Sequence, residues 1–250
     1  DDKAMYIEDF LGKNSGFFKN IEFTILCPFY NEEKNVKKTH LINMRAMRTL
    51  NIKKFIYVNN GSSDDTLIEL VNISKKDQLV EVINCKANLG YGGALKLALD
   101  AAETEHCIIT HGDAQFDIYG TYRQLGNNID SSPQFVSIIP YRCNRPALDS
   151  FLTLINRLVL SVFVFKWLPD FNGQPKIVRK SLISPIKTLP DNFSIDFEIV
   201  VRTMSFKYQT VPSFQSARKT GSSSWNKGWL SKFKLFSGYI SHVAKRTFFR

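Results

Sequence analysis

Four apolar runs, each stopping at a cluster of polar or glycine residues, constrain this chain more than any other feature. They are Phe23–Pro28, Phe55–Val58, Val80–Ile83 and Cys107–Ile109. Short apolar runs bounded by turn residues read as buried strands. Helix-spaced stretches lie between them. The first has Val36, Met44, Met47 and Leu50 as its expected apolar side. The second has Leu67, Leu70, Val71 and Ser74, with Ser63 or Asp64 as cap. The third runs through Leu95, Leu99 and Ala102. A fifth strand is expected at Phe135–Ile139. Such alternation predicts an α/β fold: a mostly parallel central sheet with helices on both faces and right-handed crossovers. A chain of 250 residues can bury the core of one such domain.

The fourth run leads into Thr110-His111-Gly112-Asp113-Ala114-Gln115. Ligands of open α/β sheets collect at the carboxyl ends of strands. If strand geometry continues, Asp113 and Gln115 point the same way, two positions apart. Their oxygens are hard donors suited to Mg²⁺ or Mn²⁺ carrying phosphate and water. The plainer alternative is a strand ending in a polar loop. His111 has three readings, in this order: a core-facing strand end, a metal neighbour, or a phosphate contact.

The formal charge of +10 favours an anionic partner. No Asp or Glu follows Glu198, whereas ten Lys and Arg do. The segment 226–250 mixes these with Trp229, Phe233, Phe236 and Tyr239, a pattern that fits a helix lying on an anionic membrane surface. The alternative is a packed helix with a solvated basic face. No nucleic-acid motif accompanies the charge. Cys27, Cys85, Cys107 and Cys143 lack metal spacing and read as thiols of a reducing compartment. Phe151–Leu168 contains Asn156, Arg157 and Lys166 and reads as a core or interface helix, not a membrane span. Asp1–Met5 looks like the remnant of a cleavable tag, and residues 6–21 carry little pattern.

The loops after the four runs resemble the motifs of inverting family 2 glycosyltransferases of the GT-A (Rossmann-like) fold. Pro28-Phe29-Tyr30-Asn31-Glu32 resembles their Pro-x-Tyr-Asn-Glu opening. Asn60-Gly61-Ser62-Ser63-Asp64-Asp65-Thr66 resembles their Asp-Gly-Ser-x-Asp-x-Thr loop. Asn88-Leu89-Gly90-Tyr91-Gly92-Gly93-Ala94 resembles their Asn-x-Gly-x-Gly-x-Ala helix entry, and Gly112–Gln115 their metal-binding DxD region. The dolichyl-phosphate mannose synthase-like branch is most similar. It is matched further by Tyr141-Arg142, Asp170–Gly173, Phe193–Glu198 and Arg218–Ser223.

This resemblance implies a single domain over 6–225, with a nucleotide-binding half (22–141) and an acceptor half (142–225). It implies a metal-dependent transfer from a nucleoside-diphosphate sugar, UDP ahead of GDP, to a polyprenyl phosphate at the cytoplasmic membrane surface. The alternatives are extension of a lipid-linked or surface glycan at a sugar hydroxyl, and an inactive nucleotide-binding scaffold. Pro28, Tyr30, Glu32, Asn60, Ser62, Lys86, Gly90 and Asp113 are the implied nucleotide contacts. Tyr30 would be a wall, Glu32 and Asn60 polar readers, and Lys86 either a phosphate contact or a solvated lysine. Asp113 and Gln115 would hold Mn²⁺ or Mg²⁺. Asp196 or Glu198 would be the general base for a hydroxyl acceptor. Arg142, Arg218 and Ser223 would cradle an acceptor phosphate. Three departures stand out: Asn59-Asn60 replaces an acid pair, His111 replaces the first acid of the metal motif, and Ser224 replaces a Lys.

Overall fold

The computed structural model describes residues 20–123, 137–216 and 236–244. Seven strands form one sheet: β1 (Glu22–Phe29), β2 (Asn51–Asn60), β3 (Val80–Cys85), β4 (His106–Ile109), β5 (Ser137–Cys143), β6 (Lys176–Arg179) and β7 (Tyr208–Phe214). Their spatial order is β3-β2-β1-β4-β6-β5-β7. The β1–β2, β2–β3, β1–β4 and β5–β7 pairs are parallel, and β6 runs antiparallel to both β4 and β5. The expected mostly parallel α/β architecture is therefore present.

Side-chain alternation along the strands builds two cores. Phe23, Ile25, Cys27, Phe55, Tyr57 and Ile108 enter one cluster; Leu26, Ile56, Val58, Cys107 and Ile109 enter the other. Helices α1 (Val36–Met44) and α2 (Thr66–Ser74) contribute to the first. Helices α3 (Gly90–Ala101) and α7 (Ser194–Thr203) contribute to the second. The remaining helices are α4 (Ile118–Tyr122), α5 (Ala147–Val164) and α6 (Lys180–Ile183). A C-terminal helix, α8 (236–244), joins a third cluster through Tyr239 and Val243.

Several expectations need correction. Of the expected apolar side, Val36 and Leu50 are buried, but Met44 at the end of α1 and Met47 in the 3-10 turn after it are 40% and 45% exposed. Helix α1 buries Val36, Thr39, His40 and Asn43. The reason lies in the sheet beneath. The Tyr57 hydroxyl is fully buried and needs partners, and it finds His40 Nδ1 at 3.0 Å and Asn43 Nδ2 at 3.3 Å. Helix α2 buries Thr66, Leu70 and Ile73, a line turned slightly from the expected one. Asp64, one of the two expected caps, does accept from the Thr66 backbone N–H, at 3.1 Å. The third helix buries Leu95 and Leu99 as expected. The fifth strand runs on to Cys143; Phe135 and Val136 lie outside the described residues. Strand β6 escaped notice because it opens on Lys176 and closes on Arg179, which break the apolar run.

Burial lowers the pKa of His40 from 6.5 against the opposing pull of Asp77, and that of His106 with help from Arg179. In the unfolded chain both imidazoles take up protons near 6.5, while the folded protein resists protonation to lower pH. Stability from this source is therefore complete above 6.5 and is lost as pH falls through the lowered folded values. The melting temperature is expected to drop between pH 7.5 and pH 5.5, and His40→Asn to flatten part of that slope. An unchanged melting temperature across this range would contradict the burial of these rings.

Candidate active site

The carboxyl ends of β1, β2 and β4 open onto a cavity of about 340 Å³. It is lined by Pro28, Phe29, Tyr30 and Glu32 after β1, by Asn60 ending β2, and by Asn88, Gly90 and Tyr91 at the entry to α3. His111, Gly112 and Asp113 after β4 and Phe193 before α7 complete it. Pro28, Tyr30, Glu32, Asn60, Gly90 and Asp113 were expected from the sequence and come together here. Ser62 and Lys86 are not among the lining residues.

Ser62 serves the frame. Its hydroxyl accepts from the Asn31 backbone N–H at 3.0 Å, while Asn31 Oδ1 accepts from the Ser63 N–H at 2.8 Å. Thr66 Oγ1 accepts from the Glu32 N–H at 2.8 Å. These bonds tie the first loop to the second and hold Asn31 at a φ of 54°. Lys86 is exposed.

Asn60 is only 4% exposed, and both ends of its amide go to the third loop. Nδ2 donates to Asn88 Oδ1 (3.2 Å) and to the Gly90 carbonyl (3.1 Å), and Oδ1 accepts from the Leu89 N–H (2.9 Å). Asn60 thus holds the third loop while lining the cavity. A carboxylate here could not make the two donations, so the neutral residue suits the loop it holds. Asn59 is similarly engaged, donating to Asn84 Oδ1 at 2.8 Å. Gly90 has a φ of +78°, and a Cβ on it would run into the Asp191 carbonyl, which explains the glycine.

The expected Asp113–Gln115 pair is split. Strand geometry stops at Ile109, and Ala114 turns the chain with a φ of 57°. Asp113 lines the cavity, with one carboxylate oxygen accepting from the Gln115 N–H at 3.3 Å. Gln115 turns away: its Nε2 donates to the Ser216 carbonyl at 2.9 Å, and its own carbonyl accepts from the Ser216 N–H at 2.9 Å. It straps the end of β7 to the site. Among the described residues, no group of three or more His, Cys, Asp or Glu could hold a metal alone.

His111 is a cavity residue, not a core-facing strand end. Its Nε2 is 3.2 Å from the Tyr91 hydroxyl, and its ring meets Tyr91 and Phe116 edge-on. Gln174 Nε2, a donor only, lies 3.5 Å from the same hydroxyl and 3.3 Å from Asp196 Oδ1. Reversing that amide would set its oxygen against the carboxylate. The Tyr91 hydroxyl thus bridges Gln174 and His111 Nε2. Burial pushes the His111 pKa down, against the pull of Asp113 and Asp196, favouring the neutral ring. Phe193 stacks on Tyr91 with centroids 5.3 Å apart. Tyr91 and Phe193 sat inside quoted motifs without an assigned role; their signal was an aromatic beside each loop.

Asp196 and Glu198 face different surroundings, as residues two apart on a helix must. Asp196 Oδ1 meets Lys176 Nζ at 2.8 Å, and both side chains are nearly inaccessible (4% and 0%). Burial lowers the Lys176 pKa, and Asp196 opposes that shift. Glu198 is held by Arg202 at 2.9 Å and His242 of α8 at 3.1 Å. It is an internal tie, away from the cavity lining. Arg142 is also committed. Its Nε and Nη2 each donate at 2.8 Å to the two oxygens of Asp170 in a bidentate pair. Burial raises the Asp170 pKa, but the guanidinium outweighs it and holds the carboxyl below its usual range. Arg142 thus ties the end of β5 to the 170–173 turn. Arg218 and Ser223 lie outside the described residues.

The carboxyl edge of the sheet thus carries a Tyr-walled pocket with the carboxylates of Glu32 and Asp113 in its lining. The glycosyl transferase family 2 profile matches residues 24–184, and the chain belongs to that family. An uncharacterized glycosyltransferase of Synechocystis sp. is 31% identical over 96 residues. Another, from Bacillus subtilis, is 28% identical over 98 residues. These matches cover 38% and 39% of this chain and 30% of each relative. Among solved structures, glucosyl-3-phosphoglycerate synthase of Mycobacterium tuberculosis, in complex with Mn²⁺, UDP and glucosyl-3-phosphoglycerate, superposes with a TM-score of 0.63. That likeness has 13% identity and covers 96% of this chain and 84% of the other. S. aureus TarS superposes at 0.56 with 15% identity, covering 91% and 66%. At these identities the structural likeness establishes the GT-A-type fold.

Proposed function

We propose that this domain transfers a sugar from a nucleoside-diphosphate sugar to a polyprenyl phosphate at the cytoplasmic face of a membrane. The donor reading rests on the cavity that gathers Pro28, Tyr30, Glu32 and Asp113 at the carboxyl edge of the sheet. UDP is the favoured nucleotide, in keeping with the ligand of the mycobacterial synthase.

One observation carries the acceptor reading. Both candidate bases are occupied: Asp196 by Lys176, Glu198 by Arg202 and His242. A sugar hydroxyl needs a group free to take its proton in the transition state. A phosphate is already an anionic nucleophile and needs none. The occupied carboxylates therefore favour the phosphate acceptor over a glycan hydroxyl.

The residues fit a divalent ion only in part. Asp113 offers one hard carboxylate, and the remaining positions would come from the donor diphosphate and water, as suits Mg²⁺ or Mn²⁺. Bound there, the ion would neutralise charge on the departing diphosphate. The chain's own residues contribute separately. His111 places on the cavity wall an imidazole whose burial favours the neutral form. Tyr91 fixes its ring, and Phe193 backs Tyr91.

A thermal-shift panel of UDP, GDP, CMP and dTDP, each with Mn²⁺ and with EDTA, tests the donor reading. Ligand binding to the native state raises the melting temperature by mass action. One nucleotide is expected to shift it in the presence of Mn²⁺, and Mn²⁺ alone is expected to leave it unchanged. No shift with any nucleotide would favour the inactive scaffold reading.

A further inference from the structure

Helix α5 wears its amphipathicity inside out. Three of its polar side chains are tied down by hydrogen bonds: Arg157 Nε donates to the Leu168 carbonyl (2.9 Å), Ser161 Oγ accepts from the Leu168 N–H (3.0 Å), and Thr153 Oγ1 accepts from Arg145 Nη1 (2.7 Å). Its large apolar side chains turn outward. Leu148, Phe151, Leu154, Leu158 and Val162 are 41–70% exposed, and Leu160 is the helix's one fully buried residue. Only 6% of this 18-residue span is buried. The helix ends on Phe165, in the left-handed region at a φ of 53°, with 91% of its surface exposed. A non-glycine residue in that region is uncommon, and here it projects an aromatic ring into what would otherwise be water. A continuous exposed apolar face of this kind marks an interaction surface.

We propose that α5 lies flat in the interfacial layer of an anionic lipid bilayer and docks the catalytic edge against it. The occupant follows from three features. First, length and composition would allow the helix to cross a membrane, but its connections do not. It starts four residues after β5, and the returning chain is clamped to β5 by Arg142–Asp170. Both ends are therefore held by the same sheet. Second, the apolar face covers roughly half of the circumference at 3.6 residues per turn, wider than a paired-helix seam. The charges that flank such seams are lacking: Leu152, Leu154 and Val159 occupy the flanking positions. Third, the rim has interfacial chemistry. Trp167 is 56% exposed with the Arg157 guanidinium 5.0 Å from its ring, and Lys166 is exposed beside it. The acid-free basic stretch after Glu198 leads to α8, whose Tyr239 and Val243 share a core cluster with Leu160 of α5. Arg157 and Lys166 thus put positive charge beside the apolar face, which fits anionic headgroups.

The geometry suits a lipid-borne acceptor and in that respect rests on the proposed reaction. β5 is parallel to β1 and β4 through two antiparallel pairings, so α5 begins at the edge that carries the cavity.

The test is co-sedimentation of the full chain with vesicles of phosphatidylcholine, with and without phosphatidylglycerol. Phe151→Glu/Leu158→Glu alters two exposed residues and should leave the fold intact, checked by its melting temperature and nucleotide shift. Wild type is expected to bind the mixed vesicles better than the neutral ones. The double variant is expected to bind at least about tenfold more weakly, given the apolar area removed. Equal binding by the variant would overturn the proposal. So would a dimer that the same substitutions split while vesicles go unbound, because a second copy would then cover the face. Vesicle binding without any nucleotide shift in wild type would sink the transferase reading and leave this one standing. Nucleotide shifts without vesicle binding would do the reverse.

Discussion

Asp113→Ala is expected to lower sugar transfer by about 10²–10³-fold, the usual cost of removing one group that stabilises developing charge. The melting temperature should be retained. Asp113 lines the cavity together with the Glu32 carboxylate, while Gln115 has turned to Ser216. Its packing contribution is small, because it sits half-buried in a turn outside the strand. Asp113→Asn keeps the shape and a hydrogen-bond acceptor, so comparing the two variants separates charge from geometry. Initial rates with saturating acceptor, together with the Mn²⁺-dependent nucleotide shift, provide the readout. Turnover close to wild type in the alanine variant would remove Asp113 from the site. A lost rate with a retained nucleotide shift would assign it to the transition state instead of donor binding.

Lys176→Met is expected to destabilise the protein by about 3–5 kcal/mol, because it strands a buried carboxylate. Lys176 is fully inaccessible on β6, and Asp196 stands 2.8 Å away on α7. Burial disfavours the ammonium and Asp196 offsets this only in part, as the lowered Lys176 pKa reflects. Removing both charges together, as in Lys176→Met/Asp196→Leu, should recover most of the loss, since buried pairs are often replaceable by apolar residues of similar volume. Chemical denaturation of the two single variants and the double variant gives the coupling directly. Additive losses would show that the two residues do not share one interaction. The same set bears on chemistry. If Asp196→Asn keeps its stability but loses transfer to a phosphate, the carboxylate acts on the reaction despite its partner, and the base-free reading fails.

Much of the site could be read before the fold was known. Its signal is local: each strand of the first half ends in its own polar loop, and parallel strands bring those loops to one edge. Pro28, Tyr30, Glu32, Gly90 and Asp113 meet for that reason. What could not be read was the use to which each polar group is put. Asn60 and Arg142 carry side chains suited to ligands, yet one holds the third loop and the other holds Asp170. Hydrogen-bond partners from 28 to 30 positions away decide such roles, and spacing is blind to them.

The sequence by itself determined the α/β class and the first four strands with the loops that follow them, because periodicity and turn chemistry are properties of neighbouring residues. Only the tertiary structure decided the rest. It put β6 antiparallel between β4 and β5, which is what buries Lys176 against Asp196. It turned the polar side of α1 inward to meet the buried Tyr57 hydroxyl, and the apolar side of α5 outward. An amphipathic pattern names two faces of a helix; which one meets the protein depends on what the sheet beneath leaves unsatisfied.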